Sequence, residues 1–280
     1  MNRNTPGRRL ISTVVAAAAL TASMPAVMLS CDATTAGRAV TFSTGIQGAV
    51  EEGSADSFQT AEGWDVTLTS AYAVFGPLYF YSGEAMSRKS LIPGFGTARA
   101  CPTHAQYDYG TVLGEVLKQY VVDLMSDSPT DTGDVDGEAG TCLSAETHLH
   151  PPGEQGLESG SSDADFDKLD GESILIEGEA VKDDASYSFK AAVTIPDEGT
   201  MRIIQNIACD SVEIADQSEK EGRLLLRVFL DAWFDQVDFS TLLETDDDGV
   251  YLFTDDTQAW TALVQAVRNR YSYDVVWSKK

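Results

Sequence analysis

The chain contains 280 residues, of which 44 are acidic and 19 are basic, so its formal net charge is −25. Its hydrophobic content of 43% and aromatic content of 9% suffice for a packed core, which excludes disorder along the whole chain. A surface this acidic repels phosphate backbones, so the composition argues against nucleic acid as a partner.

The N-terminus has the pattern of an export signal. Arg3, Arg8 and Arg9 precede an apolar run at 10–22, and we therefore predict a signal peptide over 1–30. The alternative is a transmembrane anchor. It is disfavoured because the run is rich in alanine, shorter than about 20 strongly apolar residues and followed by a proline.

A cysteine follows the apolar run directly. The stretch from Val27 to Cys31 resembles the lipobox of bacterial lipoproteins, in which the cysteine becomes the diacylated N-terminus. The resemblance implies lipidation at Cys31 and a short tether at 31–37. The expected location is the bacterial cell envelope, with the membrane as a partner through the lipid and the protein facing the periplasm or the cell surface.

The remaining cysteines depend on that assignment. If Cys31 carries lipid, Cys101, Cys142 and Cys209 allow one disulfide in three possible pairings and leave one thiol over. If Cys31 keeps its thiol, the four cysteines allow two bridges in three connectivities. The sequence leaves these alternatives open.

Apolar residues alternate with small or polar ones along five segments, a period of two that is typical of half-buried strands. Within 64–75, for example, Trp64, Val66 and Leu68 fall on one side. Segment 223–230 is apolar on both sides, which predicts a central strand. Several strands joined by polar turns predict a mainly β protein built as a β-sandwich. The five segments are 38–44, 64–75, 172–182, 185–195 and 223–230.

Two short helices are predicted near the C-terminus, at 233–243 and 254–270. In the second, Trp260, Leu263 and Val267 recur at helical spacing, so we expect one face to pack on a sheet. Everything from residue 38 to 280 is predicted to form one domain. Three segments rich in Gly, Ser, Asp and Glu are predicted loops: 126–140, 151–171 and 213–222.

The three histidines of the chain, His104, His148 and His150, are the most specific chemical feature. If Cys142 to His150 is a strand, His148, His150 and Glu146 project from one face. Two adjacent imidazoles can bind copper or zinc, and His104 or Glu146 can supply a third ligand. The alternative is a polar strand face that binds no metal.

A second candidate metal site is a calcium loop. Glu244, Asp246 and Asp248 precede Gly249, and Asp255 follows at the twelfth position, which approximates the spacing of an EF-hand loop. Glu244 stands where Asp is usual and Asp255 where Glu is usual. The alternative is a solvated turn between two helices.

Three stretches of sequence resemble segments of uncharacterised bacterial lipoproteins with an immunoglobulin-like sandwich: WDVTLTSAY at 64–72, GPLYF at 76–80 and WFDQVDF at 233–239. The resemblance covers most of the mature chain and implies an immunoglobulin-like β-sandwich anchored in the envelope. No activity is established for those families, so none is implied here. In some similar proteins the region around His104 is richer in histidine, which implies metal handling.

Three functions remain as hypotheses. The first is a non-catalytic binding or structural module of the envelope with a protein or glycan partner, since the sequence contains no complete catalytic motif. The first alternative is a periplasmic copper or zinc binding protein that uses the histidines. The second alternative is a secreted hydrolase that uses a carboxylate pair, for which Asp235 and Asp238 are the candidates.

Overall fold

The computed structural model describes residues 39–50, 54–85, 110–153, 157–214 and 222–279. Residues Gly37–Lys280 belong to one compact unit. The signal peptide, Cys31 and the tether lie outside the described residues and stay predictions. Within the described ranges, no helix has the length and apolar content that a membrane span requires.

The described residues form fifteen strands and three α-helices. The first eight strands are β1 (Ala39–Ala49), β2 (Ser57–Gln59), β3 (Asp65–Phe75), β4 (Leu78–Tyr81), β5 (Val112–Val116), β6 (Lys118–Asp123), β7 (Thr130–Glu138) and β8 (Gly140–His148). They are followed by β9 (Glu158–Ser159), β10 (Ile174–Lys182), β11 (Ala185–Val193), β12 (Ile203–Ile214), β13 (Arg223–Phe229), β14 (Tyr251–Leu252) and β15 (Tyr273–Ser278). The helices are α1 (Asp163–Asp167), α2 (Leu230–Phe234) and α3 (Gln258–Val267).

The strands form two sheets. The first has eight strands in the order β5-β4-β8-β12-β15-β13-β1-β7. The second has seven, in the order β14-β11-β10-β3-β6-β9, with β2 paired to β3. Most neighbours are antiparallel. The four parallel pairs among the described strands are β1 with β13, β12 with β15, β11 with β14 and β6 with β9. The prediction of a mainly β protein with one or two short C-terminal helices is confirmed. The helix predicted at 233–243 is wrong in its bounds, because α2 ends at Phe234 and a 3-10 turn at Phe239–Thr241 is all that follows it before residue 243.

Alternating burial explains the strands that the sequence predicts. In β3, Val66 and Leu68 are buried while Asp65 and Thr67 are exposed, so one face packs and the other meets solvent. The polar turn at Asp183 joins β10 and β11 into a hairpin, as expected. All five segments with period two contain the strands predicted for them.

Most buried apolar side chains of both sheets belong to one hydrophobic core, and a smaller cluster of Val74, Val121 and Leu169 is separate from it. Phe42 and Phe80 of the first sheet meet edge to face, and Phe189 of the second sheet packs against Phe239. Burial of each such side chain contributes about 1.5–3 kcal/mol. Helix α3 adds its apolar face to this core, as its spacing predicts, including the buried Leu263.

The predicted loop at 126–140 is wrong, because its central part is β7. This edge strand pairs with β1 and buries only Thr132 and Val135, so it lacks the apolar alternation of the other strands. Its carboxylates are nevertheless used in the sheet. Asp134 accepts a hydrogen bond from Ser43 of β1 at 2.5 Å. Asp136 accepts one from Thr41 of β1 in the same way.

The other predicted boundaries also shift. The predicted loop 151–171 contains β9 and α1, and α1 forms because the Ser162 hydroxyl caps its first turn. The predicted loop 213–222 begins inside β12, and residues 215–221 lie outside the described residues. Helix α3 starts at Gln258, later than expected, because Thr257 rather than Thr254 caps it.

Candidate functional site

Strand β8 ends at the histidines. Glu146 and His148 are two residues apart in β8 and share one face, as predicted, and His150 follows just after the strand ends. Strand β4 lies beside β8, with Tyr79 directly opposite Glu146. The site therefore forms where a central strand of the first sheet turns into the loop at 149–153.

The side chain of His148 contacts both neighbours. Its Nε2 lies 3.0 Å from Oε1 of Glu146, and its Nδ1 lies 3.4 Å from Nε2 of His150. The side chains of His148 and Glu146 are only 16% and 11% exposed, which makes these contacts stronger than the same contacts in water. We call His148 and His150 the histidine pair.

This geometry suits one metal ion between the histidines. Two nitrogens that each lie about 2.0–2.1 Å from one metal at a tetrahedral angle are about 3.4 Å apart, which is the separation found in the histidine pair. The carboxylate of Glu146 accepts the proton of His148 Nε2 and so leaves Nδ1 with its lone pair for a metal. Glu146 is thus an orienting group and not the third ligand that the sequence suggests.

A buried glutamine fixes the loop that carries His150. Gln119 comes from β6 in the second sheet and is 1% exposed. Its Nε2 donates to the carbonyl of Pro151, and its Oε1 accepts from the N–H of Gly153, both at 3.2 Å. No sequence motif points to Gln119, and its one signal is an amide among the inward positions of a strand.

The backbone of His148 is held by the turn before β4. Its N–H donates to the carbonyl of Pro77 at 3.0 Å, and its carbonyl accepts from the N–H of Gly76 at 3.0 Å. Gly76 has a φ of +123°, and a Cβ there would lie 2.1 Å from the carbonyl oxygen of Lys118. The position therefore requires glycine, and this close approach keeps the turn against His148.

Tyr79 borders the site on its β4 side. Its ring centroid lies 5.9 Å from that of His148, and Tyr81 stacks on it at 6.4 Å. Burial raises the pKa of Tyr79 above its ordinary value, and the nearby carboxylates of Glu115 and Glu146 raise it further. The phenol is therefore neutral at physiological pH and acts as a wall of the site.

His104, the remaining histidine of the predicted cluster, lies outside the described residues. Among the residues that the structure does describe, no group of three or more His, Cys, Asp and Glu side chains is arranged to hold one metal ion. The described part of the site therefore offers two nitrogen ligands, from His148 and His150.

The predicted calcium loop is instead a β-hairpin, which we call the acidic hairpin (residues 244–252). Oδ1 of Asp246 accepts from the N–H groups of Asp248 and Val250, at 3.0 and 2.9 Å. The N–H of Leu252 donates to the carbonyl of Glu244, closing the hairpin. Asp246 is thus used to stabilise a turn, and Asp255 follows outside the hairpin, just before α3. The structure does not assemble Glu244, Asp246, Asp248 and Asp255 into a cation site.

The carboxylates considered for hydrolysis have roles in the backbone. Asp235 accepts a hydrogen bond from the N–H of Ala61 at 3.2 Å. Asp238 caps the 3-10 turn Phe239–Thr241 by accepting from the N–H and the hydroxyl of Ser240. Each carboxylate thus accepts hydrogen bonds from local donors, and its use in hydrolysis stays a hypothesis from the sequence.

Two of the three cysteines considered for a disulfide lie in the first sheet. Cys142 of β8 and Cys209 of β12 are buried neighbours and are present as thiols. Cys101 lies outside the described residues.

Comparison with known proteins adds little to the site. No family model and no curated protein matches the chain. Among solved structures, the chain is similar to "MbnP from Methylosinus trichosporium", with 9% sequence identity and a TM-score of 0.44; the match covers 85% of this chain and 98% of that chain. At this identity and this TM-score the similarity carries no argument about function.

Proposed function

We propose that the protein binds a copper or zinc ion between Nδ1 of His148 and Nε2 of His150. The observation that carries the proposal is the 3.4 Å separation of these two nitrogens, with the other nitrogen of His148 held by Glu146. A histidine ligand whose second nitrogen bonds a carboxylate is the usual arrangement at protein metal sites.

The chemistry of the ligands favours these metals. Imidazole nitrogens suit copper and zinc, whereas calcium and magnesium require oxygen ligands. Before metal binds, the proton on Nε2 of His150 bridges the two facing nitrogens, and metal binding requires this proton to move to Nδ1 of the same neutral ring. The formal charge of −25 also favours the approach of a cation.

Open coordination positions favour binding and transfer over a structural role. Structural zinc sites are closed by four protein ligands, whereas the described part of this site supplies two. We therefore propose a non-catalytic metal-binding protein that can share the ion with a further ligand. A protein or glycan partner in the envelope stays a hypothesis from the sequence, as does lipidation at Cys31.

A second proposal concerns the fold and follows the sequence resemblance to bacterial lipoproteins with an immunoglobulin-like sandwich. We propose that the two sheets form an immunoglobulin-like sandwich. The support is the main core, to which buried side chains of both sheets contribute, and the mostly antiparallel pairing.

Metal titration of the purified full chain tests the function. We expect about one equivalent of Cu²⁺ or Zn²⁺ to bind by isothermal titration calorimetry, with elemental mass spectrometry after dialysis confirming the ratio. The double variant His148→Ala, His150→Ala is expected to abolish that binding because it removes both nitrogen ligands. A His104→Ala variant tests separately whether this third histidine contributes, as the sequence predicts.

The matched control is Asp247→Asn in the acidic hairpin, an exposed carboxylate that no contact of the site involves. It is expected to bind metal as the unsubstituted chain does, whereas non-specific binding to the 44 acidic residues would persist in the double histidine variant. Unchanged binding by the double histidine variant would contradict the proposal.

A further inference from the structure

Cys142 and Cys209 are brought together by an irregularity in the sheet. Strands β8 and β12 are antiparallel neighbours, with Cys142 opposite Val212 and Ser144 opposite Ala208. Three residues of β12, from Cys209 to Ser211, therefore lie opposite a single residue of β8. Ser211 has a φ of +50° at this bulge. The bulge turns Cys209 toward Cys142. Regular pairing would place Cys142 opposite a different residue of β12.

Both cysteines belong to the same hydrophobic core. Cys142 is fully buried, and Cys209 is 8% exposed. The interaction between the two cysteines lowers the pKa of Cys209 and raises that of Cys142, which burial raises further. The N–H groups of Asp210 and Val212 also donate to the sulfur of Cys209. Cys209 is therefore the more nucleophilic of the two sulfurs.

We propose that Cys142 and Cys209 form a disulfide in the mature protein, which ties β8 to β12 near the start of β8, six residues before His148. The bond is a link between buried residues of two neighbouring strands. Exported proteins fold in a compartment where such bonds form and persist. The proposal selects one of the three pairings that the sequence leaves open.

The oxidation requires a disulfide-bearing oxidant, such as an exported thiol-disulfide oxidoreductase. The thiolate of Cys209 attacks one sulfur of the oxidant disulfide, forms a mixed disulfide and releases the other oxidant sulfur as a thiolate. That thiolate takes the proton of Cys142, whose sulfur then attacks Cys209 and expels the second oxidant sulfur, which takes up a proton from water. The chain loses two electrons, and the oxidant is reduced to its dithiol.

Peptide mapping of the full chain tests the pairing, because trypsin places each of the three cysteines on a different peptide. Cleavage after Lys and Arg yields residues 100–118 with Cys101, 119–168 with Cys142 and 203–220 with Cys209. The protein is isolated from an oxidising compartment, alkylated in denaturant without reductant, digested and analysed by mass spectrometry.

We expect 119–168 linked to 203–220, and release of both peptides by a reductant. A Cys101→Ala variant is expected to keep this linked pair. Recovery of Cys142 and Cys209 as alkylated thiols would overturn the proposal, and so would linkage of either one to Cys101.

Thermal unfolding provides a second test that does not depend on peptide recovery. The unsubstituted chain is expected to unfold at a higher Tm when oxidised than when reduced. Cys142→Ala, Cys209→Ala and the double variant are each expected to lose that difference, because either substitution removes the bond. A variant that kept the redox shift in Tm would contradict the pairing.

Discussion

The histidine pair and the acidic hairpin both have sequences that suggest a metal site, but their ligand-type atoms have different partners in the structure. In the hairpin, the carboxylate of Asp246 is occupied by two backbone N–H groups, and the turn is complete without an ion. At the end of β8, two ring nitrogens face each other at 3.4 Å while a carboxylate holds the far side of one ring. The oxygen of Asp246 serves the backbone of its own turn, whereas the ring nitrogens of the histidine pair contact other side chains at a separation that one metal ion could span.

Among single substitutions near the histidine pair, Gln119→Ala is expected to have the largest effect on metal affinity. The substitution removes both hydrogen bonds to the loop that carries His150, so we expect metal affinity to fall by about 10–100-fold although both histidines remain. The free energy of unfolding should fall by about 1–3 kcal/mol, since buried groups lose their partners. Calorimetric titration and chemical denaturation measure the two effects. Unchanged affinity would show that the loop needs no such anchor.

A smaller effect is expected from Glu146→Gln. The amide oxygen can still accept the His148 Nε2 proton, but the negative charge that increases the basicity of the ring is lost. We expect metal affinity to fall about tenfold, at the low end of such substitutions. The same titration measures it. A loss as complete as that of the double histidine variant would instead make Glu146 a direct ligand.

The smallest effect on metal binding is expected in the acidic hairpin. Asp246→Ala removes the acceptor of two backbone N–H groups, so stability should fall by about 1 kcal/mol in chemical denaturation. Copper or zinc affinity should not change. The variant is therefore also the stability control for Gln119→Ala, and a loss of metal affinity in it would show that general destabilisation explains both results.

The strands were predictable from sequence because their alternation follows directly from burial on one face. The neighbours Glu146 and His148 were predictable for the same reason, since strand geometry alone puts them on one face. Strand β7 was missed because an edge strand can bury as little as Thr132 and Val135 and still pair. Its Asp and Gly residues match the composition of a loop.

The supports of the site were not predictable in this way. Gln119 and Tyr79 reach the histidines from other strands, and their contacts depend on how distant segments pair. The pairing of Cys142 with Cys209 depends on a bulge in β12, which no local pattern reveals. Sequence periodicity assigns a face to a residue, but the register between strands decides which residue it meets.

The most direct test of the central claim is nitrogen NMR of the full chain with ¹⁵N-labelled histidine, titrated with Zn²⁺. The chain contains three histidines, so each ring can be assigned by single substitution. We predict that zinc shifts Nδ1 of His148 and Nε2 of His150, and that Nε2 of His148 stays protonated toward Glu146. Rings of His148 and His150 that do not respond to zinc, or that both bind through Nε2, would contradict the account.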